Sequence, residues 1–181
     1  MMSRILIKCL SLVKIFYLKI RFYKYFKHNG LSYYFEKRAN IQLLRRGKLF
    51  LGKTVHFGTD TSIQCRGGNI SIGTDVFFNE NCRVISYGNI EIGDYCIFGP
   101  NVMIYDHNHR YSERDKLIKY QGYTIEPVVI GSDVWVAANV VITAGVKIGN
   151  HVVVGANSVV TRNLSDNGIY GGNPARLLKE I

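Results

Sequence analysis

In the last third of the chain, apolar residues return every six positions. Ile130, Val136, Ile142, Ile148, Val154 and Val160 hold one register, and each is followed by a small or polar residue: Gly131, Ala137, Thr143, Gly149, Gly155 and Thr161. Four positions after an aliphatic comes a small or β-branched residue, Val134, Val140, Val146, Val152 or Ser158. A helix repeats near 3.6 residues and an ordinary strand near 2, so neither period explains the pattern. It predicts short strands forming the sides of a triangular parallel coil, with aliphatics stacked inside and small residues at the tight corners.

The rhythm is present earlier too. Leu51-Gly52, Phe57-Gly58 and Ile63 begin it, Ile72-Gly73, Phe78 and Val84 form a second run, and Ile92-Gly93, Phe98-Gly99 and Ile104 a third. Gly67-Gly68-Asn69 and Gly88-Asn89 carry turn chemistry and read as small bulges between coils. Cys82 and Cys96 fall four residues after Phe78 and Ile92, in the slot of the small inward residue, and read as core packing.

Between Ile104 and Val129 the repeat stops for more than twenty residues. Such an excursion from a regular solenoid is usually functional. It opens with Tyr105-Asp106-His107-Asn108-His109, passes the charged residues Arg110, Glu113, Arg114 and Asp115, and ends near Pro127. Histidine titrates near neutrality, so it can take a proton from an attacking hydroxyl and return it to a leaving group. His107 and His109 are both placed for that work. Asp106 is a candidate orienting group, although adjacent side chains often point apart.

Over residues 50–178 the sequence resembles the hexapeptide-repeat acyltransferases. The likeness is greatest to the galactoside, maltose and polysaccharide O-acetyltransferase branch, through the run from Ile130 to Thr161 and the closing Gly172-Asn173-Pro174-Ala175-Arg176. It implies an all-β fold, a left-handed parallel β-helix assembling as a homotrimer, with a helical N-terminal segment and a short C-terminal helix. On that reading residues 1–48 are the N-terminal segment, 49–181 the β-helix domain, and 105–128 its active-site loop. The resemblance further implies acetyl-CoA as co-substrate, no permanently bound cofactor or metal, and a saccharide acceptor in surface polysaccharide or lipopolysaccharide biosynthesis. Gly99-Pro100-Asn101-Val102 precedes the loop as in the family, which favours His107 as base with His109 its rival. Asn79 matches the acceptor-binding asparagine, with Asn81 close enough to confuse the match. Ala138, Ala156, Thr161 and Arg162 match positions that contact CoA. Relatives often have serine where Ala138 stands and lysine where Arg162 stands. Trp135 could cover the active-site groove or pack beneath the loop.

Charge adds a second theme. Residues 1–48 hold twelve Lys or Arg against Glu36 alone, a net +11, while the other 133 residues hold eleven against twelve, a net −1. This basic segment is also rich in Ile, Leu, Phe and Tyr. Its longest charge-free run between Arg4 and Lys27 is Cys9 to Val13, far short of the about 20 apolar residues a membrane span needs. It lacks the apolar stretch and cleavage site of a secretory signal. At helical spacing Arg4, Lys8 and Lys19 share a side while Lys14, Arg21 and Lys24 fall elsewhere, so amphipathicity is poor. Two readings stay open: a helix packed on the body or its neighbours, and a helix lying on a membrane.

Four cysteines without CxxC or finger spacing read as reduced thiols in a cytoplasmic protein, held at most to the inner face of the membrane. Two alternatives share the fold class. A zinc carbonic anhydrase of the β-helix type would need three convergent histidines, and His28, His56, His107, His109 and His151 lack an obvious spacing for that. A non-catalytic binding β-helix leaves the histidine loop unexplained. No nucleic-acid motif accompanies the basic segment.

Overall fold

The computed structural model describes residues 4–30 and 32–181. From Phe26 onward the chain winds as a triangular solenoid of about six coils, each giving one short strand to each of three parallel faces. The first face runs from Phe26–His28 through Lys48–Leu51, Asn69–Ile72, Asn89–Ile92 and Val128–Ile130 to Lys147–Ile148. The second runs from Tyr33–Phe35 through Val55–Phe57, Val76–Phe78, Ile97–Phe98, Trp135–Val136 and Val153–Val154 to Gly168–Gly171. The third comprises Asn40–Leu44, Ser62–Arg66, Arg83–Ser86, Met103–Tyr105, Val141–Ile142 and Val159–Val160. The six aliphatics of the sequence repeat fall on the three faces in turn, twice round, and all are buried.

Register is what makes the core continuous. Because strands pair in parallel without slip, like side chains stack coil on coil: Ile41, Ile63, Val84, Ile104, Ile142 and Val160 line one inner column. A second column is aromatic, with Phe35, Phe57, Phe78 and Phe98 stacked at centroid spacings of 4.7, 5.8 and 4.7 Å. Cys65, Cys82 and Cys96 are buried in this interior. At the corner between the second and third faces, Asn81, Asn101, Asn139 and Asn157 all take left-handed backbone, φ 58–60°. Asparagine tolerates that conformation better than other side chains, and these four form a ladder with Nδ2 to Oδ1 distances of 2.6, 2.9 and 3.1 Å.

Two terminal features differ from expectation. The helical N-terminal segment is shorter than 1–48: helix α1 spans Arg4–Arg21, and the solenoid starts at Phe26. The strands before residue 49 carry an irregular version of the repeat, with Tyr33, Phe35 and Leu43 supplying inward residues. Helix α1 covers the exposed edge that an end strand would otherwise present. Ser11 Oγ accepts the unpaired N–H of Phe35 at 2.8 Å, while Ile15 and Leu18 are buried. At the other end the expected C-terminal helix is a strand, Arg176–Glu180, pairing antiparallel with Gly168–Gly171. The turn through Gly172 and Pro174 folds the chain back, and pairing closes the last edge of the second face.

Candidate active site

The loop leaves the solenoid at the corner joining the third face to the first. It forms a two-stranded antiparallel hairpin, His107–His109 against Tyr123–Ile125, followed in space by the exposed segment between them. The hairpin folds back over Gly88, where an added Cβ would lie 2.4 Å from Cγ2 of Ile125. Glycine there lets the Ile125 side chain lie directly on the coil backbone.

Asp106 is the anchor of the site. Its carboxylate is fully buried and accepts three hydrogen bonds from the preceding coil: Ser86 Oγ to Oδ2 at 2.6 Å, Gly88 N to Oδ2 at 2.8 Å and Tyr87 N to Oδ1 at 2.9 Å. A buried carboxylate is tolerated when its lone pairs are filled in this way. His107 Nδ1 lies 3.3 Å from Oδ1. Adjacent though they are in sequence, the two side chains meet. Donation from Nδ1–H leaves Nε2 with the free lone pair, which is the tautomer a general base requires. The His107 ring is held by aromatic neighbours, Tyr87 at 4.3 Å, Tyr123 at 5.5 Å and Tyr105 at 6.0 Å between centroids. His109 is exposed, and among the described residues Tyr123 is the aromatic ring against it, at 4.5 Å.

The other predicted residues divide between two corners. Thr161 and Arg162 are exposed on the His107 corner, two coils further on, about 10 Å at ordinary strand spacing. Asn79, Ala138 and Ala156 lie on the corner between the second and third faces. Asn79 Oδ1 accepts the next backbone N–H, from Glu80, at 2.7 Å, which leaves its amide NH₂ available. Asn81 belongs to the asparagine ladder. One chain therefore holds a base at one corner and two of the four CoA positions at another, a face-width of roughly 16 Å away for five extended residues. Trp135 is half-exposed on the outside of the second face and does not pack beneath the loop.

The three buried thiols are poor nucleophiles. Burial pushes Cys65 up to about 12, and Cys82 and Cys96 up to about 11. Among the described residues, no group of three His, Cys, Asp or Glu side chains gathers as metal ligands within one chain. Sequence reasoning missed Ser86, Tyr87 and Tyr123. Counting one coil back from Asp106-His107, across the Gly88-Asn89 bulge, would have found the first two; Tyr123 arrives through the hairpin and leaves no local signal.

The proteins to which this parallel β-helix is similar are acyl-transfer enzymes. The family described as bacterial transferase hexapeptide (six repeats) matches residues 127–162. WbbJ of Escherichia coli K12, described as a putative lipopolysaccharide biosynthesis O-acetyl transferase, is 33% identical over 142 residues, covering 74% of this chain and 72% of that protein. The galactoside O-acetyltransferase of the same organism is 32% identical over 119 residues, covering 64% of this chain and 56% of its own length. Against a hexapeptide-repeat acetyltransferase of Vibrio cholerae, solved with acetyl-CoA, the TM-score is 0.66 at 34% identity, over 72% of this chain and 69% of the other. The chain spans about half the length of some of these curated relatives. It belongs to the hexapeptide-repeat acyltransferases, and its fold is their left-handed parallel β-helix.

Proposed function

We propose that this protein transfers an acetyl group from acetyl-CoA to a hydroxyl of a saccharide, in the biosynthesis of a surface polysaccharide or lipopolysaccharide. The observation that carries this reading is the buried Asp106 fixing His107 so that Nε2 is the free ring nitrogen. His107 Nε2 takes the proton of the acceptor hydroxyl as its oxygen bonds to the thioester carbonyl carbon. The tetrahedral intermediate collapses by breaking the carbon–sulfur bond, and the same imidazolium returns the proton to the leaving thiolate. Backbone N–H groups at the Ala138 corner serve as donors to the carbonyl oxygen. Asn79 contacts the acceptor, and Ala156, Thr161 and Arg162 follow CoA, the guanidinium meeting its phosphate.

The division of these residues between two corners supports a homotrimer in which the His107 corner of one chain faces the Ala138–Ala156 corner of its neighbour. The second face offers a surface for such packing. Phe77, Ile97 and Trp135 stand in register along its outside, each more than a third exposed, continuing a stack from Tyr34 and His56. Contiguous exposed apolar surface of this kind is typical of contact sites.

Helix α1 supports peripheral contact with the inner face of the membrane. No helix among the described residues is long and apolar enough to cross one. The helix is apolar on two opposite sides. Ser11, Ile15 and Leu18 face the solenoid, and Ile5, Leu12, Val13, Phe16, Tyr17 and Ile20 face outward. At about 100° per residue, Lys8 and Lys19 border the outer stripe on one side and Arg21 on the other. At that spacing Lys8, Lys14, Lys19 and Arg21 all lie within about 80° of the buried side, so the outward half of the helix carries no charge. An exposed apolar stripe rimmed by cations suits an interface of acyl chains and anionic headgroups.

The test of the enzymatic reading is acetyl transfer measured as CoA release together with acetylated product, over a panel of sugars and sugar conjugates. His107→Ala should lose about 10²–10⁴ in kcat, and His109→Ala little. Loss confined to His109→Ala would move the base; equal rates in all three proteins would remove histidine catalysis from the mechanism.

A further inference from the structure

The corner that carries His107 continues back through the earlier coils, and its outward positions there are basic and aromatic. Register pairs Leu44 with Arg66, Cys65 with Ser86 and Ile85 with Tyr105. Extended by one or two residues, the last two of those ladders stack Arg66 over Tyr87 and Tyr87 over His107. The side chains follow the backbone: Arg66 Nη1 is 3.5 Å from the Tyr87 hydroxyl, and the Tyr87 ring is 4.3 Å from that of His107. Arg45 and Arg46 occupy the same corner one coil further back, at φ 51° and 64°. Left-handed backbone is unfavourable for long side chains, and at most such corners of this molecule Asn or Asp fills the position. Arginine at two such positions in succession is a sequence choice that corner geometry does not explain.

Arg66 is held in place without being neutralised. Its Nε donates to Oε1 of the buried Gln64 at 2.9 Å, and Gln64 Nε2 donates to Ser62 Oγ at 2.9 Å. Among the described residues, Arg45, Arg46 and Arg66 have no carboxylate partner. The hydrogen bond from Arg66, with a smaller effect of Arg45, draws the Tyr87 hydroxyl below its ordinary phenolic range. A half-buried guanidinium that is oriented by neutral side chains and lacks a counter-ion is the arrangement that binds an anionic oxygen group. Two coil spacings separate Arg66 from His107, about 10 Å. That is the span of a sugar ring with an attached phosphate.

Resting on the acetyl-transfer reading, we propose that the acceptor is a sugar carrying a phosphate or diphosphate. Arg66, with Arg45 beside it, holds the anionic group. Tyr87 and Tyr123, whose rings lie 4.9 Å apart, offer a platform for the ring face, and the reacting hydroxyl sits at Nε2 of His107.

The experiment compares four forms of one sugar as acceptors: free, as its 1-phosphate, as a nucleoside diphosphate conjugate and as a short-prenyl diphosphate conjugate. The charged forms should exceed the free sugar by about 10–100-fold in kcat/KM, the scale of one or two charge-assisted hydrogen bonds. In Arg66→Ala that ratio should fall toward one, chiefly through KM, and Arg66→Lys should restore part of it. An advantage shared by all charged forms assigns the phosphate alone; one restricted to the prenyl conjugate assigns a lipid-linked acceptor, and one restricted to the nucleotide conjugate a soluble one. Calorimetric titration of glucose 1-phosphate into wild type and Arg66→Ala reads the anion site without turnover. Binding that depends on Arg66, with no transfer to any acceptor, would sink the acetyl-transfer reading and leave the anion site standing. A wild type that binds and acetylates charged and free sugar alike, with Arg66→Ala unchanged, overturns the proposal.

Discussion

Asp106→Asn keeps the shape of the anchor but inverts half of its hydrogen bonding. Three donors converge on the carboxylate, from Ser86, Tyr87 and Gly88, and an amide NH₂ would face at least one of them. The misfit should cost about 1–3 kcal/mol of stability, the penalty for a buried unsatisfied group. It should also lower kcat by about 10–100-fold, less than removal of the base itself, because His107 loses the partner that fixes its tautomer. Thermal melting and steady-state kinetics on the same sample separate the two effects. Thiol chemistry gives a second check at this scale. Cys9 is exposed, whereas burial holds the other three thiols protonated at pH 8, since a raised pKa moves thiolate formation upward. Native protein should therefore react with one equivalent of a disulfide reagent at pH 8, with three more appearing on unfolding, and modification of Cys9 should leave acetyl transfer intact.

At the scale of elements, the solenoid was legible because its period is written in nearest-neighbour chemistry. Every aliphatic at the sixth position from Ile130 to Val160 is an inward side chain, and Asn81, Asn101, Asn139 and Asn157 answer a left-handed backbone at their corner. The ends were not legible, because what decides them is an edge. Arg176–Glu180 reads as well for a helix as for a strand, and only the unpaired rim of Gly168–Gly171 selects the strand. Helix α1 is ambiguous for a related reason: an uncharged half faces outward while a narrow strip is buried, and periodicity alone does not say which side meets the solenoid. The candidate base and its neighbour Asp106 were readable from the broken repeat, but Tyr87 and Tyr123 needed the coil register and the hairpin. The outer stripe makes a direct prediction. Phe16→Asp with Ile20→Asp should abolish flotation with vesicles containing anionic phospholipid while leaving the fold intact by circular dichroism. Lys8→Glu with Lys19→Glu should weaken flotation and remove its salt sensitivity. Flotation unchanged in both variants would assign the stripe to contacts between chains.

At the scale of the whole molecule, the decisive fact is that one triangle cannot bring its own two corners together. His107 and the Ala138–Ala156 corner are fixed on opposite sides of the third face by a core stacked through every coil, so no loop movement closes the gap. If the site is shared, a defect at one corner can be rescued by a neighbour that is intact there. His107→Ala lacks the base. Ala138→Trp would block the other corner, where the coils are already so close that a Cβ added at Gly99 would lie 2.8 Å from the Ala138 backbone nitrogen. Each variant alone should be nearly inactive. Co-folded as mixed trimers, they should recover activity, because some interfaces pair an intact His107 corner with an intact Ala138 corner. For random mixing of equal amounts, one interface in four combines both intact corners, so recovery should approach a quarter of the wild-type rate per chain. A site confined to one chain predicts no recovery at any ratio. Gel filtration of the mixture, run beside the kinetics, establishes whether exchange took place, so that absent recovery in exchanged trimers counts against the shared site.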